Sequence, residues 1–178
     1  VGFTYWETSR LPTVLVFCVN KCDEVWTASS WAIQCFIDSG VEVPIYSFDL
    51  GVDVHTFYPK KMKHDKAFTF LHIGSPSTRK NTQLVVDAFF RLFLGNDKYK
   101  LILKSNGSPD ARYILDDAIL CSLYDIEQIQ IIDHYLEESE LAELINSIDC
   151  FLYPTRGEGW GMSPFQAIAC GVPTICTN

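Results

Sequence analysis

Short apolar segments with the length of β-strands alternate with helix-length segments along almost the whole chain. Strands separated in this way need crossover connections, which favour parallel pairing within one sheet. The sequence therefore predicts an α/β fold built on a Rossmann-like, doubly wound parallel sheet. The predicted strands are residues 24–27, 44–48, 68–73, 100–104, 129–132, 150–153 and 174–176.

The predicted helices occupy the segments between these strands. Pro12 suits the first turn of a buried helix, and Ser29 or Ser30 can cap the next helix, which Gly40 ends. The predicted helices span residues 11–20, 31–39, 82–94, 111–124, 138–147 and 164–170. In the third of them, apolar residues recur every three or four positions, which indicates a face packed on a sheet: Leu84, Val85, Ala88, Phe89 and Leu92.

A polar, mostly basic stretch at residues 60–66 interrupts the alternation and divides the pattern into two runs. The first run holds two strands, which are too few for an independent sheet. We therefore expect residues 1–58 to be the C-terminal part of a first Rossmann-like domain, which begins outside this chain. Residues 59–67 are the expected linker, and residues 68–178 the expected second domain, incomplete at its C-terminus.

Composition narrows the classes of function. The net charge of −8 argues against binding to a nucleic-acid backbone, which usually requires a basic face. The longest apolar runs are far shorter than the roughly 20 residues of a membrane span. The seven scattered cysteines suit a reducing cytoplasm, although Cys18 and Cys22 have the spacing of half a metal site. No second pair with zinc spacing follows, so we expect no metal.

The loop from Gly74 to Asn81 has the chemistry of an anion site. It follows a predicted strand and carries Arg79 and Lys80 directly before a predicted helix. Free N–H groups and the helix dipole favour an anion at that position, and two cations add to the attraction. The alternative is an ordinary solvated basic loop.

The loop at residues 154–166 is the second candidate. Three glycines within five positions expose several backbone N–H groups around Glu158, whose carboxylate can accept hydrogen bonds from hydroxyls. Ser163 can cap the following helix, with Pro164 in its first turn. Gln166 then lies in the first turns of that helix, at the same end of the sheet as Glu158. The alternative is a structural turn followed by a capped helix.

Residues 158–173 resemble the E-x7-E signature of the retaining GT-B glycosyltransferases of group 1. Further segments match that family in the same order along the chain. They are residues 6–12, 23–29, 51–59, 70–74, 79–81 and 140–154. The resemblance implies that the second run is the C-terminal, nucleotide-sugar-binding domain of the GT-B fold.

The resemblance also implies roles for individual residues. Lys80 and Arg79 would contact and neutralise the diphosphate, and Glu158 would bind hydroxyls of the transferred sugar. Asp133 and His134 would lie at the base, which the family holds largely through backbone groups. The remaining expected ligands of the sugar nucleotide are Gly74, Ser75, Gly159, Trp160, Gly161, Met162, Ser163 and Gln166.

Two positions depart from the family pattern. Many members have an arginine where this chain has Ser75, and we expect Arg79 to supply that charge instead. The second glutamate of the signature is Gln166 here. An amide oxygen can still accept one hydroxyl proton, so we expect weaker binding of the ribose, or a changed nucleotide preference, and not the loss of the site.

The function implied by the resemblance is transfer of a sugar from a UDP-, GDP- or ADP-sugar to an acceptor hydroxyl, with retention at the anomeric carbon. No cofactor is expected. The acceptor would be a saccharide or a lipid-linked molecule, bound by a domain that precedes Val1. Peripheral association with a membrane could occur through that same domain. The isolated chain is therefore expected to bind the sugar nucleotide with little or no turnover. The alternatives are a GT-B-fold epimerase or phosphorylase, and a non-catalytic module that binds nucleotide sugars.

Overall fold

The structure, a computed structural model, describes residues 1–61, 67–106 and 127–177. They form two compact units. The first contains Val1–Gly51 and the loop Gly157–Met162, and the second contains Val52–Arg156 and Ser163–Asn178. The helix expected at residues 111–124 and most of the expected linker lie outside the described residues. The domain boundaries inferred from the sequence stay predictions.

The first unit contains a three-stranded parallel sheet in the order β1-β2-β3. Its strands are β1 (Gly2–Phe3), β2 (Val25–Thr27) and β3 (Ile45–Ser47), joined through α1 (Thr13–Val19) and α2 (Ser30–Ser39). The predicted cap and stop of α2 are confirmed, because the Ser29 hydroxyl accepts the Ala32 N–H at 3.2 Å and Gly40 has a φ of 94°; the helix begins one residue before the predicted start. β1 was not predicted, since two residues are too short to show an alternating pattern.

The core of the first unit lies on the helix side of its sheet. Val25 and Phe36 are fully buried there, with Val19 from α1. On the other face, Phe3, Trp26 and Tyr46 are aligned across the three strands and are exposed. The helix predicted at residues 11–20 is present, but the prediction that it is buried is wrong: Val19 is the buried residue of α1, while Val14 and Phe17 are exposed by 66% and 63%. α1 is therefore a surface helix, and some of its apolar side chains are exposed.

The loop Gly157–Met162 belongs to the first unit because its backbone lies against the segment that follows β1. A Cβ atom on Gly157 would overlap the carbonyl oxygen of Glu7, and one on Gly159 would overlap the ring of Tyr5. Glycine is therefore required at both positions for this packing, independently of any ligand.

The second unit contains a five-stranded parallel sheet in the order β6-β5-β4-β7-β8. The strands are β4 (Phe68–Ile73), β5 (Tyr99–Ser105), β6 (Ile129–Asp133), β7 (Cys150–Tyr153) and β8 (Thr174–Cys176). All five were predicted to within one residue at each end. From β4 the chain first builds the sheet in one direction, and from β7 it builds in the other. This is the doubly wound arrangement, with its switch point between β4 and β7.

Helices cover both faces of this sheet. α3 (Thr82–Phe93) packs on one face, and α4 (Glu138–Asn146) and α5 (Met162–Ala169) pack on the other. The first core includes Leu101, Leu103, Val86 and Phe89, and the second includes Leu71, Phe151, Ile145 and Ala167.

The packed face of α3 differs from the predicted one. Val85 and Phe89 are buried as expected, but Leu84 and Leu92 are exposed by 49% and 70%, and Ala88 is exposed. Thr82 and Val86 are buried instead. Because α3 carries apolar residues on more than one side, the periodicity allowed two faces, and the contacts of its first residue with the sheet decide between them.

His72 provides that contact. It is 1% exposed near the carboxyl end of β4, and its two ring nitrogens contact different elements. Nδ1 lies 2.9 Å from the Leu152 carbonyl oxygen on β7, and Nε2 lies 3.0 Å from the Thr82 hydroxyl on α3. A carbonyl oxygen only accepts, so Nδ1 carries the proton and Nε2 accepts from Thr82. The neutral imidazole thus joins β4, β7 and the start of α3.

Burial lowers the pKa of His72, the Leu152 carbonyl opposes that shift, and the charge of Lys80 lowers the pKa further. The contribution of this imidazole to stability is then present above the unfolded-state pKa of 6.5 and is lost as the pH falls through the folded-state pKa. We expect the free energy of unfolding, measured by urea titration, to fall between about pH 7.5 and about pH 5. In His72→Gln the decrease should be smaller, because glutamine has no group that takes up a proton in this range. Equal slopes would contradict this assignment.

Gly159→Ala should destabilise the chain by about 1–3 kcal/mol, because the new methyl group overlaps the Tyr5 ring. Tyr5→Ala in the same chain should recover most of that loss, since it removes the obstructing atoms. Gly157→Ala is the matched control: it meets a backbone oxygen, so truncating the Glu7 side chain should not rescue it. Unfolding titrations of the single and double variants give the coupling energy, and additive effects of Gly159→Ala and Tyr5→Ala would refute the packing.

Candidate functional site

The two loops singled out from the sequence follow neighbouring strands. β4 and β7 pair directly, with Leu71 opposite Phe151, and the chain leaves the carboxyl end of each into one of the loops. In open parallel sheets, ligands bind beyond the carboxyl ends of the strands at the switch point. The doubly wound topology therefore brings the starts of both loops to the position where a ligand is expected.

The first loop begins where Gly74 closes the end of β4, its N–H donating to the Lys104 carbonyl at 3.0 Å. Ser75 is exposed, whereas Arg79 and Lys80 are half-buried. Asn81 has a left-handed backbone (φ 57°), and α3 begins at the next residue. Both cations thus precede a helix N-terminus, as the sequence predicted.

The side chain of Lys80 is held within this unit. Its ammonium donates to the Tyr153 hydroxyl at 2.7 Å and lies 4.9 Å from the centre of the Tyr153 ring. The aliphatic part of Lys80 packs over Gly74, where a Cβ atom would lie 3.1 Å from its Cγ and Cδ. The glycine at the end of β4 therefore makes room for the lysine.

The second loop begins with Pro154–Arg156 in the second unit and continues through Gly157–Met162 in the first. Glu158 and Trp160 are half-buried in it, and Gly159 and Gly161 are buried. Whether Glu158 and Lys80 face one ligand stays a prediction.

The helix after this loop begins earlier than predicted. Gly161 has a φ of 86° and α5 begins at Met162, so Ser163 lies inside the first turn and is not its cap. Pro164 is the third helical residue, still within the turn whose N–H groups have no helical partner. Gln166 is the fifth residue of α5 and is half-buried.

A further polar group lies where β5 and β6 end. Asp133, the last residue of β6, accepts the Ser105 hydroxyl at 2.7 Å, and His134 beside it is exposed. Lys104 was not singled out from the sequence, yet it is 3% exposed at the same end of the sheet. Its ammonium donates to the Ser105 carbonyl and to the Asn106 side-chain oxygen. The sequence feature that could have identified Lys104 is its position as the last residue of a largely apolar predicted strand.

Electrostatics at Lys104 combine two opposed effects. Burial lowers the pKa of its ammonium, and the negative charge of Asp133 raises it.

Within residues 1–61, 67–106 and 127–177, no group of three or more His, Cys, Asp or Glu side chains could hold a metal ion. In the same residues, no helix is long and apolar enough to cross a membrane.

Curated relatives share limited identity with the chain. It is 24% identical over 174 residues to the lipopolysaccharide core biosynthesis mannosyltransferase LpsB of Rhizobium meliloti, covering 91% of this chain and 47% of that protein. It is 26% identical over 111 residues to the serotype-specific mannosyltransferase WbdA of Escherichia coli, covering 61% of this chain and 13% of that protein. The chain thus spans less than half the length of these relatives.

Solved structures share the fold. Sucrose-phosphate synthase from Thermosynechococcus elongatus superposes with a TM-score of 0.75 at 19% identity, over 92% of this chain and 42% of that one. HepE from Anabaena, solved in complex with UDP and glucose, has a TM-score of 0.75 at 16% identity, over 92% and 47%. Both support the Rossmann-like α/β assignment. The family model of the group 1 glycosyl transferases matches residues 54–178, and the chain therefore belongs to the group 1 glycosyltransferase family.

Proposed function

We propose that the protein of which this chain is part transfers a sugar from a nucleotide-diphosphate sugar to an acceptor hydroxyl, with retention at the anomeric carbon. These 178 residues would carry mainly the half that binds the sugar nucleotide. The observation that carries the proposal is the pairing of β4 with β7, because it starts the cationic loop and the Gly-Glu loop side by side at the switch point.

The diphosphate is assigned to the first loop. Lys80 and Arg79 supply positive charge there, and the free N–H groups at the start of α3 supply hydrogen bonds. When the bond between the anomeric carbon and the diphosphate oxygen breaks, its electron pair goes to that oxygen. Charge developing on the leaving group is what these cations would stabilise.

The sugar is assigned to Glu158 and the backbone N–H groups of the loop that follows it. A carboxylate accepts hydrogen bonds from two hydroxyls at once, which would fix the sugar ring. The acceptor oxygen would then form its bond to the anomeric carbon on the side the diphosphate leaves, and its proton would pass to the leaving diphosphate oxygen. The ends of β5 and β6, with Asp133 and His134, are assigned to the nucleoside.

Gln166 favours a second candidate function. If the neutral amide binds ribose too weakly, the chain would be a module that senses nucleotide sugars without turnover.

The six free cysteines among the described residues fit a reducing compartment, and we propose a cytoplasmic location with a saccharide or lipid-linked acceptor. The domain boundaries near residues 58 and 68 are proposed with this division of labour.

The proposal predicts stabilisation by sugar nucleotides. Thermal melting with UDP-glucose, GDP-mannose and ADP-glucose should identify one that stabilises by about 2.7 kcal/mol at 100 times its dissociation constant. For a chain of this size that is roughly 5–10 °C. GDP-mannose is included because the curated relatives are mannosyltransferases, and UDP-glucose because HepE was also solved in complex with it.

Lys80→Ala and Glu158→Ala should each remove most of that shift. Lys98→Ala and Glu143→Ala are the matched controls, because both are exposed and lie away from the carboxyl ends of the strands. If no nucleotide sugar shifts the melting temperature, or if the control variants lose as much as the test variants, the assignment of the site is wrong.

Gln166→Glu separates the two candidate functions. A restored carboxylate should raise affinity for the sugar nucleotide several-fold, because hydrogen bonds to charged groups exceed neutral ones by about 1 kcal/mol. The measurement is calorimetric titration of both proteins with the nucleotide selected by melting. Equal or weaker binding by the variant would show that Gln166 is not a weakened ribose ligand.

A further inference from the structure

We propose that Tyr153 is a positioning residue for Lys80: its hydroxyl holds the lysine ammonium at the carboxyl end of β7, ready for the diphosphate. This inference rests on the proposed function, because it assigns a task to the lysine that the function places at the phosphates.

Tyr153 is a rigid support. It is the last residue of β7, it is buried, and its ring stacks on Phe151 with centres 5.8 Å apart. The hydroxyl therefore has a fixed position at the edge of the sheet. This oxygen accepts one hydrogen bond from the Lys80 ammonium, at 2.7 Å.

Lys80 is restrained along its whole length. Its backbone N–H donates to the Ser77 hydroxyl at 3.2 Å, its aliphatic stem lies over Gly74, and its ammonium donates to the Tyr153 hydroxyl. A lysine otherwise loses considerable rotational freedom when it binds an anion. Restraint in the unbound protein reduces that loss, which raises affinity through preorganisation.

Two more hydrogen bonds join the same two segments. The Arg156 N–H donates to the Arg79 carbonyl at 2.8 Å, and the Asn81 side-chain amide donates to the Pro154 carbonyl at 3.1 Å. Residues 79–81 are thus fastened to residues 153–156 at three consecutive positions. Asn81 adopts φ 57°, a left-handed conformation that asparagine tolerates, while making one of these bonds. The fastening fixes where the cationic loop ends and α3 begins.

Tyr153→Phe tests the inference, because it removes the hydroxyl and keeps the ring. The probes are the nucleoside diphosphate and the nucleoside monophosphate of whichever base the wild-type chain binds. We expect the affinity for the diphosphate to fall roughly three- to tenfold, the range of one hydrogen bond, with the affinity for the monophosphate changed much less. A purely structural defect would weaken both. Unchanged or tighter diphosphate binding overturns the inference, the latter because it would mean that Tyr153 withholds the lysine.

A second measurement needs no nucleotide. The rate at which an amine-acylating reagent modifies Lys80, followed by peptide mass spectrometry, should rise several-fold in Tyr153→Phe, while Lys98 serves as the internal reference. Tyr99→Phe is the matched control, since Tyr99 lies at the other end of the same sheet. Asn81→Gly, which suits the positive φ and removes the amide, should also raise the rate. Equal labelling in all four proteins overturns the inference, whereas a wild-type chain that binds no nucleoside diphosphate overturns the proposed function.

Discussion

The pairing of β4 with β7 is the constraint on which the second unit depends, and His72 makes that pairing specific. A shift of one residue in β4 would turn His72 to the opposite face, among Leu71, Phe151 and the helices packed on them. There the imidazole would be buried without Leu152 and Thr82, and an unpaired buried polar group costs about 1–3 kcal/mol. One hydrogen-bonded histidine therefore links strand register, the start of α3 and the location of the loop that carries Lys80.

The local charge at the carboxyl ends of the strands, and not the net charge of the chain, governs which ligands could bind there. The chain carries −8 overall, yet Arg79, Lys80 and Lys104 all lie near the carboxyl ends of β4 and β5. Screening limits the reach of distant carboxylates to roughly 8 Å at physiological salt. The half-buried cations and the N–H groups of α3 would act on a bound anion at shorter range. An acidic protein can thus present an anion-binding edge without a basic surface.

The strands of the second unit were predictable from sequence because each is a short apolar run bounded by polar residues. The buried face of α3 was not, since several of its faces are apolar and a contact ten residues away in sequence, between His72 and Thr82, selects one. His72 and Lys104 are polar residues near the ends of largely apolar strands, and the sequence pattern does not show which groups they contact. Likewise, Ser163 fits the pattern of a cap, but Gly161 has a positive φ and α5 begins two residues before the predicted start.

The glycines of the second loop answer two requirements that the sequence alone does not separate. The family resemblance gives them a ligand-based reason, exposure of backbone N–H groups, whereas the structure gives Gly157 and Gly159 a packing reason against Glu7 and Tyr5. A relative that had lost its ligand would still need these two glycines to keep the loop in place. Gln166, where this chain departs from the second glutamate of the family pattern, is therefore a better guide than these two glycines to the proposed choice between a transferase and a binding module.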